Sequence, residues 1–248
     1  ADHLILQEDV FDEAIRRSLE YVREHPKLVT LGVRPSRPET GYGYIQFTDA
    51  EEEHFVKVKT FTEKPNHEMA KVFYESGEFL WNSGMFAWNV RTILEAFNLH
   101  LPALTSVLDE ANGAYATPEE QDRVGAIFSQ CPNISIDYAV LEKADNVMVL
   151  PVDFGWADLG TWGSVYELKR EEPEANVALH TEALFYEAKG NIVSLDGDES
   201  EQLVVVQGID DCIVAQSKGV LLICKRDQEQ RIKEFMGDAS ERYKKKFD

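Results

Sequence analysis

The run Glu39-Thr40-Gly41-Tyr42-Gly43-Tyr44-Ile45 sets two glycines on either side of one aromatic, and a strand-like stretch follows. Lacking a Cβ, Gly41 and Gly43 let the backbone come close to a ligand. Further along, Phe61-Thr62-Glu63-Lys64-Pro65 places an acid beside a base on a proline-ended turn. Glu63 accepts hydroxyl hydrogens, and Lys64 meets a phosphate as a point charge. Adjacent side chains of an extended segment point opposite ways, which argues against a simple surface ion pair. A site with these parts suits a sugar phosphate.

Two later segments extend the pattern: Phe79-Leu80-Trp81-Asn82-Ser83-Gly84-Met85-Phe86 and Phe154-Gly155-Trp156-Ala157-Asp158-Leu159-Gly160-Thr161-Trp162. With these four motifs in this order, the chain resembles the sugar-1-phosphate nucleotidylyltransferases, most of all their mannose members. The resemblance runs from Ala1 to about Leu168 and more loosely beyond. It implies an α/β fold: an incomplete Rossmann-like nucleotidyltransferase core with a small C-terminal β domain of left-handed β-helix type. The implied reaction joins mannose 1-phosphate and GTP into GDP-mannose and pyrophosphate. Positioning and charge neutralisation dominate such a step, and Mg²⁺ on one or two carboxylates contributes to both.

By the same resemblance, Asp2 and Asp158 are catalytic and hold the metal. Gly41 and Tyr42 contact the sugar, Glu63 and Asn82 bind its hydroxyls, and Lys64 binds its phosphate. The residues taken alone leave other readings open. Gly41 also suits a turn, Tyr42 a core, Asn82 an Asx-turn, and Asp158 a plain turn between two tryptophans.

The family opens with a glycine-rich nucleotide loop, G-x-G-T-R followed by a lysine, and these 248 residues contain no such loop. The start, Ala1-Asp2-His3-Leu4-Ile5, resembles the family's mid-domain metal-binding segment. The chain is therefore expected to be a fragment without the nucleotide-binding half, inactive by itself. Two rival readings stand beside this: a non-catalytic sugar-phosphate-binding or assembly module, and a transferase for another sugar 1-phosphate. The six histidines show no zinc-ligand spacing, and Ser83 and Ser164 have no evident base for a hydrolase triad.

Composition narrows the partners. A formal charge of −20 and a pI near 4.7 argue against nucleic acid or an anionic membrane. They also require local cations or a metal wherever an anionic substrate binds. Hydrophobic residues at 44% are enough for a real core. Cys131, Cys212 and Cys224 form no C-x-x-C pair. That fits thiols in a reducing cytoplasm, where the protein is expected. No apolar run reaches membrane-spanning length.

Helices and strands must position these groups. Apolar residues from Val10 to Val22 keep helical spacing, and Leu28 to Val33 reads as a buried strand. Strands are expected over Tyr44–Phe47 and Phe55–Phe61, with an acidic turn at 49–53 between them. Asn66 caps a helix to about Ser76, and Met85–Trp88 is a short strand. Helices are expected over Arg91–Phe97, over Pro102–Glu110, from the capping box at Thr117 to about Gln130, and from Ser135 through Ala144. Val147–Val152 is the next strand. An acidic, proline-broken stretch, Glu171-Glu172-Pro173-Glu174, divides a sugar-phosphate-binding part (1–172) from a small β domain with a terminal helix (173–248). The β domain has strand-like runs at Asn191–Leu195, Leu203–Val206, Cys212–Ala215 and Val220–Cys224, before a helix capped by Asp227. This domain is the candidate surface for a homodimer.

Overall fold

The computed structural model describes residues 3–52, 54–196 and 202–243. They form two compact units, one from Ile5 to Gly155 and the other from Trp156 onward together with the first residues of the chain.

After β1 (His3–Ile5), the first unit starts with α1 (Glu8–Glu24). Glu8 and Asp9 complement the positive end of its dipole. Its buried face carries Ala14, Ser18, Tyr21 and Val22, and the Ser18 hydroxyl donates to the Ala14 carbonyl at 2.8 Å. Tyr21 stacks on Phe55 with ring centroids 4.1 Å apart. β2 (Leu28–Val33) is buried along its whole length, which its continuous apolar run foreshadows. β3 (Tyr44–Glu52) and β4 (Phe55–Thr62) form a hairpin. The acidic stretch expected as a turn is strand backbone up to Glu52, because register shifts in β3 keep it paired with β4.

α2 (His67–Ser76) starts where expected, with Asn66 Oδ1 accepting the Met69 N–H at 2.9 Å. β5 runs from Phe79 to Ala87, longer than the short strand expected. The two arms of β5 are joined by a bulge: β2 pairs Thr30 with Phe86 and Gly32 with Asn82. Gly84 sits in that bulge at φ 71°, and the Ser83 hydroxyl donates to the Leu31 carbonyl at 2.7 Å. Small residues that read as a turn are thus a strand irregularity. α3 (Val90–His100) is capped by Asn89, whose Nδ2 also donates to the Val22 carbonyl at 3.1 Å and ties the end of α1 in place. α4 (Pro102–Asp109) and α5 (Glu120–Phe128) follow. The capping groups at Thr117 exist, with Glu120 accepting the Ala116 N–H at 2.7 Å, but the helix begins only at Glu120.

The helix expected from Ser135 is instead one π-helical turn, Asp137–Leu141, closed by the Glu142 N–H on the Asp137 carbonyl at 2.9 Å. Ala139, Val140 and Leu141 bury their side chains against Leu28, Ile93, Ala96 and Val147. β6 (Val147–Val152) lies parallel to β2. The strands close into a barrel in the order β2-β5-β3-β4-β6, with the β2–β6 pair parallel and the rest antiparallel.

In the second unit, β7 (Trp156–Asp158) pairs with β1. Thr161 then caps α6 (Trp162–Lys169). Six strands follow: β8 (Val177–Leu179), β9 (Glu182–Tyr186), β10 (Ile192–Leu195), β11 (Leu203–Gln207), β12 (Cys212–Ser217) and β13 (Val220–Lys225). β8, β10 and β12 stack in parallel, as do β9 and β11, giving a β-helix-like domain; β13 runs antiparallel, beside β12. Asn191, fully buried, joins the coils: its Nδ2 donates to Asn176 Oδ1 (2.9 Å) and the Ile209 carbonyl (2.8 Å), and its Oδ1 accepts the Cys212 N–H (3.0 Å). The terminal α7 (Ile232–Tyr243) is preceded by a 3₁₀ turn, Arg226–Arg231, so Asp227 lies inside that turn instead of capping an α-helix.

Candidate functional site

Three neighbouring strands bring the sequence-predicted groups together. β3 pairs Tyr44 with Thr62 of β4 and with Trp81 of β5. One residue beyond each pair stand Gly43, Glu63 and Asn82, side by side at one end of the barrel. The Asn82 N–H donates to the Gly43 carbonyl at 2.8 Å. A Cβ built on Gly43 would lie 2.7 Å from Glu63 Oε2 and 3.7 Å from Asn82 Nδ2. The missing side chain at Gly43 therefore lets the Glu63 carboxylate and the Asn82 amide approach the β3 backbone.

The loop before β3 is held from within. Glu39, only 7% exposed, accepts the Gly41 N–H at 2.9 Å and pairs with Arg37 at 2.8 Å, while its own N–H donates to the Tyr44 hydroxyl at 2.8 Å. The Arg37 guanidinium also lies 5.2 Å from the centre of the Trp81 ring. Gly41 thus has its N–H engaged inside the loop, and the glycine against which Glu63 and Asn82 pack is Gly43. Tyr42 is buried and packs edge-on against Trp81.

Glu63 and Lys64 do not point apart. Lys64 adopts φ 41°, a left-handed conformation rare for a residue with a side chain. This breaks the extended alternation and brings Lys64 Nζ to 3.8 Å from Glu63 Oε1. The pairing is loose, and Lys64 remains half exposed. Such a backbone state costs about 1–3 kcal/mol and concentrates at ligand clamps. Burial pushes the Glu63 carboxyl above its ordinary range, Lys64 opposes this, and the charges of Asp137 and Glu142 add to it. Glu142 is itself pushed up, first by burial and then by Asp137.

Asn82 is fully engaged on its oxygen side. Its Oδ1 accepts from Thr30 Oγ1 (3.3 Å) and from the Gly84 N–H (3.1 Å), while its Nδ2 donates to Asp137 Oδ1 (2.8 Å). The Asx-type contact and the place beside Gly43 coexist, because the β5 bulge supplies the Gly84 N–H. Sequence reasoning missed Glu39, Thr30 and Asp137. Glu39 had one signal, an acid two residues before a glycine; the π turn that carries Asp137 has none in the sequence.

Asp158 belongs to the second unit. It ends β7 and accepts the Gly160 N–H at 3.0 Å, in an Asx-type turn. Asp2 lies outside the described residues. Among the described residues, no group of three or more His, Cys, Asp or Glu side chains is arranged to hold a metal. A hard divalent cation is often held by only one or two protein carboxylates, and the oxygen donors of Asp158 are of the type such an ion takes. Nor is any helix among the described residues long and apolar enough to cross a membrane.

The family described as Nucleotidyl transferase matches residues 1–174, and the MannoseP isomerase/GMP-like beta-helix domain matches residues 182–238. The chain belongs to the nucleotidyl transferase family. Members of this family generally use a divalent metal. Similar proteins include a mannose-1-phosphate guanylyltransferase of Escherichia coli, 37% identical across 94% of this chain and 48% of that protein. One of Klebsiella pneumoniae with the same name is 33% identical across 94% and 49%. The chain spans about half the length of these curated relatives. Among solved structures, one titled mannose-1-phosphate geranyltransferase from Thermus thermophilus superposes with a TM-score of 0.79 at 30% identity, over 96% of this chain and 68% of that one. The expected nucleotidyltransferase fold with a β-helix-like C-terminal domain is borne out.

Proposed function

We propose that this chain carries the sugar-phosphate site of a mannose-1-phosphate guanylyltransferase, which joins GTP and mannose 1-phosphate into GDP-mannose and pyrophosphate. The observation that carries the reading is the convergence of Glu63 Oε2 and Asn82 Nδ2 on the bare face of Gly43. A sugar hydroxyl that donates to the carboxylate and accepts from the amide fits between them. Lys64, adjoining and half exposed, supplies the cation that the phosphate needs in a chain of net charge −20. Gly41 and Tyr42 shape the loop that carries Gly43.

Asp158, with Asp2, would hold Mg²⁺ for this reaction. The chemistry such an ion would supply is charge neutralisation. Mn²⁺ titration of the chain by EPR tests this: Asp158→Asn is expected to weaken binding, and an unchanged affinity removes Asp158 from the metal site. We also place the domain boundary near residue 172, the protein in the cytoplasm, and any homodimer contact on the β domain. Light scattering of the chain against a version ending at Glu172 tests the last point.

Calorimetric titration of the 248-residue chain with mannose 1-phosphate, free mannose and inorganic phosphate tests the central reading. The sugar phosphate is expected to bind more tightly than either part alone. Equal, weak binding of all three would end the proposal.

A further inference from the structure

We propose that Asp137 is a positioning residue of this site: it holds the Asn82 carboxamide so that a bound hydroxyl meets an N–H and not a carbonyl oxygen. The inference rests on the sugar-phosphate reading. A carboxamide offers two donors and two acceptor positions, and a half-turn exchanges them. Asn82 has both acceptor positions filled, by Thr30 Oγ1 and the Gly84 N–H, and one amide hydrogen on Asp137 Oδ1. Reversal would set its NH₂ against the Gly84 N–H and its oxygen against the Asp137 carboxylate. Two repulsive contacts replace two attractive ones. The second amide hydrogen is what remains, on the nitrogen that faces Gly43 together with Glu63 Oε2.

The support for Asp137 is stiff. Its carbonyl closes the π turn, and the next side chains inward, Ala139, Val140 and Leu141, are 1%, 0% and 2% exposed in the core. π turns of this kind recur at functional sites. The acid thus rides on a packed element instead of a loose loop. A fixed N–H beside a carboxylate reads a hydroxyl in one sense: it accepts from Asn82 and donates to Glu63. The pair would therefore set which sugar hydroxyl, at which stereocentre, the site demands.

The test is titration of the chain with mannose 1-phosphate and its singly deoxygenated analogues. In the unsubstituted chain one analogue is expected to bind at least about tenfold more weakly, the loss typical of one good hydrogen bond. Asp137→Leu, of similar size but unable to accept, is expected to weaken mannose 1-phosphate by about tenfold and to close the gap to that analogue. Asp137→Asn keeps an acceptor oxygen and is expected to recover most of the affinity and the gap. If Asp137→Leu binds every sugar phosphate as the unsubstituted chain does, the positioning role is overturned. The same holds if Asp137→Asn fails as badly as Asp137→Leu, since charge would then be the requirement. If the unsubstituted chain binds no sugar phosphate, the functional reading falls and takes this inference with it.

Discussion

Gly43→Ala separates ligand binding from folding. The added methyl would sit 2.7 Å from Glu63 Oε2, whereas ordinary contact begins near 3.4 Å. The carboxylate must therefore withdraw by about 0.7 Å (3.4 less 2.7). Its oxygen is the far end of a flexible side chain, so the fold can give way there. The other neighbour, Asn82 Cβ, is at 3.4 Å and need not move. Gly43 is not among the residues of positive φ, so alanine fits its backbone. Restricting the unfolded chain then favours the variant by about 0.4–1 kcal/mol, which offsets the side-chain shift. Binding has no such offset. A hydrogen bond to a charged group is worth about 1.5–3 kcal/mol, so a displaced Glu63 is expected to weaken mannose 1-phosphate by about ten- to a hundredfold. Calorimetry gives the affinity and urea unfolding the midpoint. Gly125→Ala, where an added methyl meets nothing within 4 Å, is the control. Undiminished binding by Gly43→Ala would refute the reasoning, as would a loss that merely tracks a fallen unfolding midpoint.

Glu142→Gln removes a like charge near Glu63, and carbon-detected NMR of the Glu63 carboxyl should show it titrating at lower pH; no change would exclude the coupling. Because burial, with the charges of Asp137 and Glu142, raises the folded carboxyl against the opposing Lys64, the native state holds more protons than the unfolded one above about pH 4.3. The contribution of Glu63 to stability is complete below that pH and is lost as pH rises through the raised value. Glu63→Gln should thus gain stability relative to the unsubstituted chain as pH climbs through that window, and a flat difference would contradict the sign. Asn191→Ala removes a fully buried amide that makes three hydrogen bonds in the β-helix-like domain, one of them to the buried Cys212. It should cost about 3 kcal/mol or more; a shift in the urea midpoint worth under 1 kcal/mol would mean that water replaces the amide.

Local signals carried much of the fold. Asn66 announced its helix because a cap acts within three residues, and Leu28–Val33 and Val147–Val152 were legible because strands buried on both faces are apolar throughout. β8 and β9 were not, since Glu182–Tyr186 leaves alternate residues in solvent and is held by pairing with β11. At the site, residue types and order pointed to Glu63 and Asn82, but their meeting at Gly43 depends on long-range register. Lys64 was misjudged in direction because nothing in an acid–base pair before proline signals a left-handed backbone. Asp137 sits 55 residues from the amide it holds, beyond the reach of any local pattern.

The reversed strand of the second domain governs how that stack can grow. Three strands laid the same way offer a template on which one more coil, from this molecule or another, could be threaded without limit. By turning back at Lys218-Gly219, both with positive φ, the chain lays β13 antiparallel along the edge of that ladder. On that flank, a further coil of the same winding would have to pair antiparallel with β13, and the parallel ladder is interrupted there.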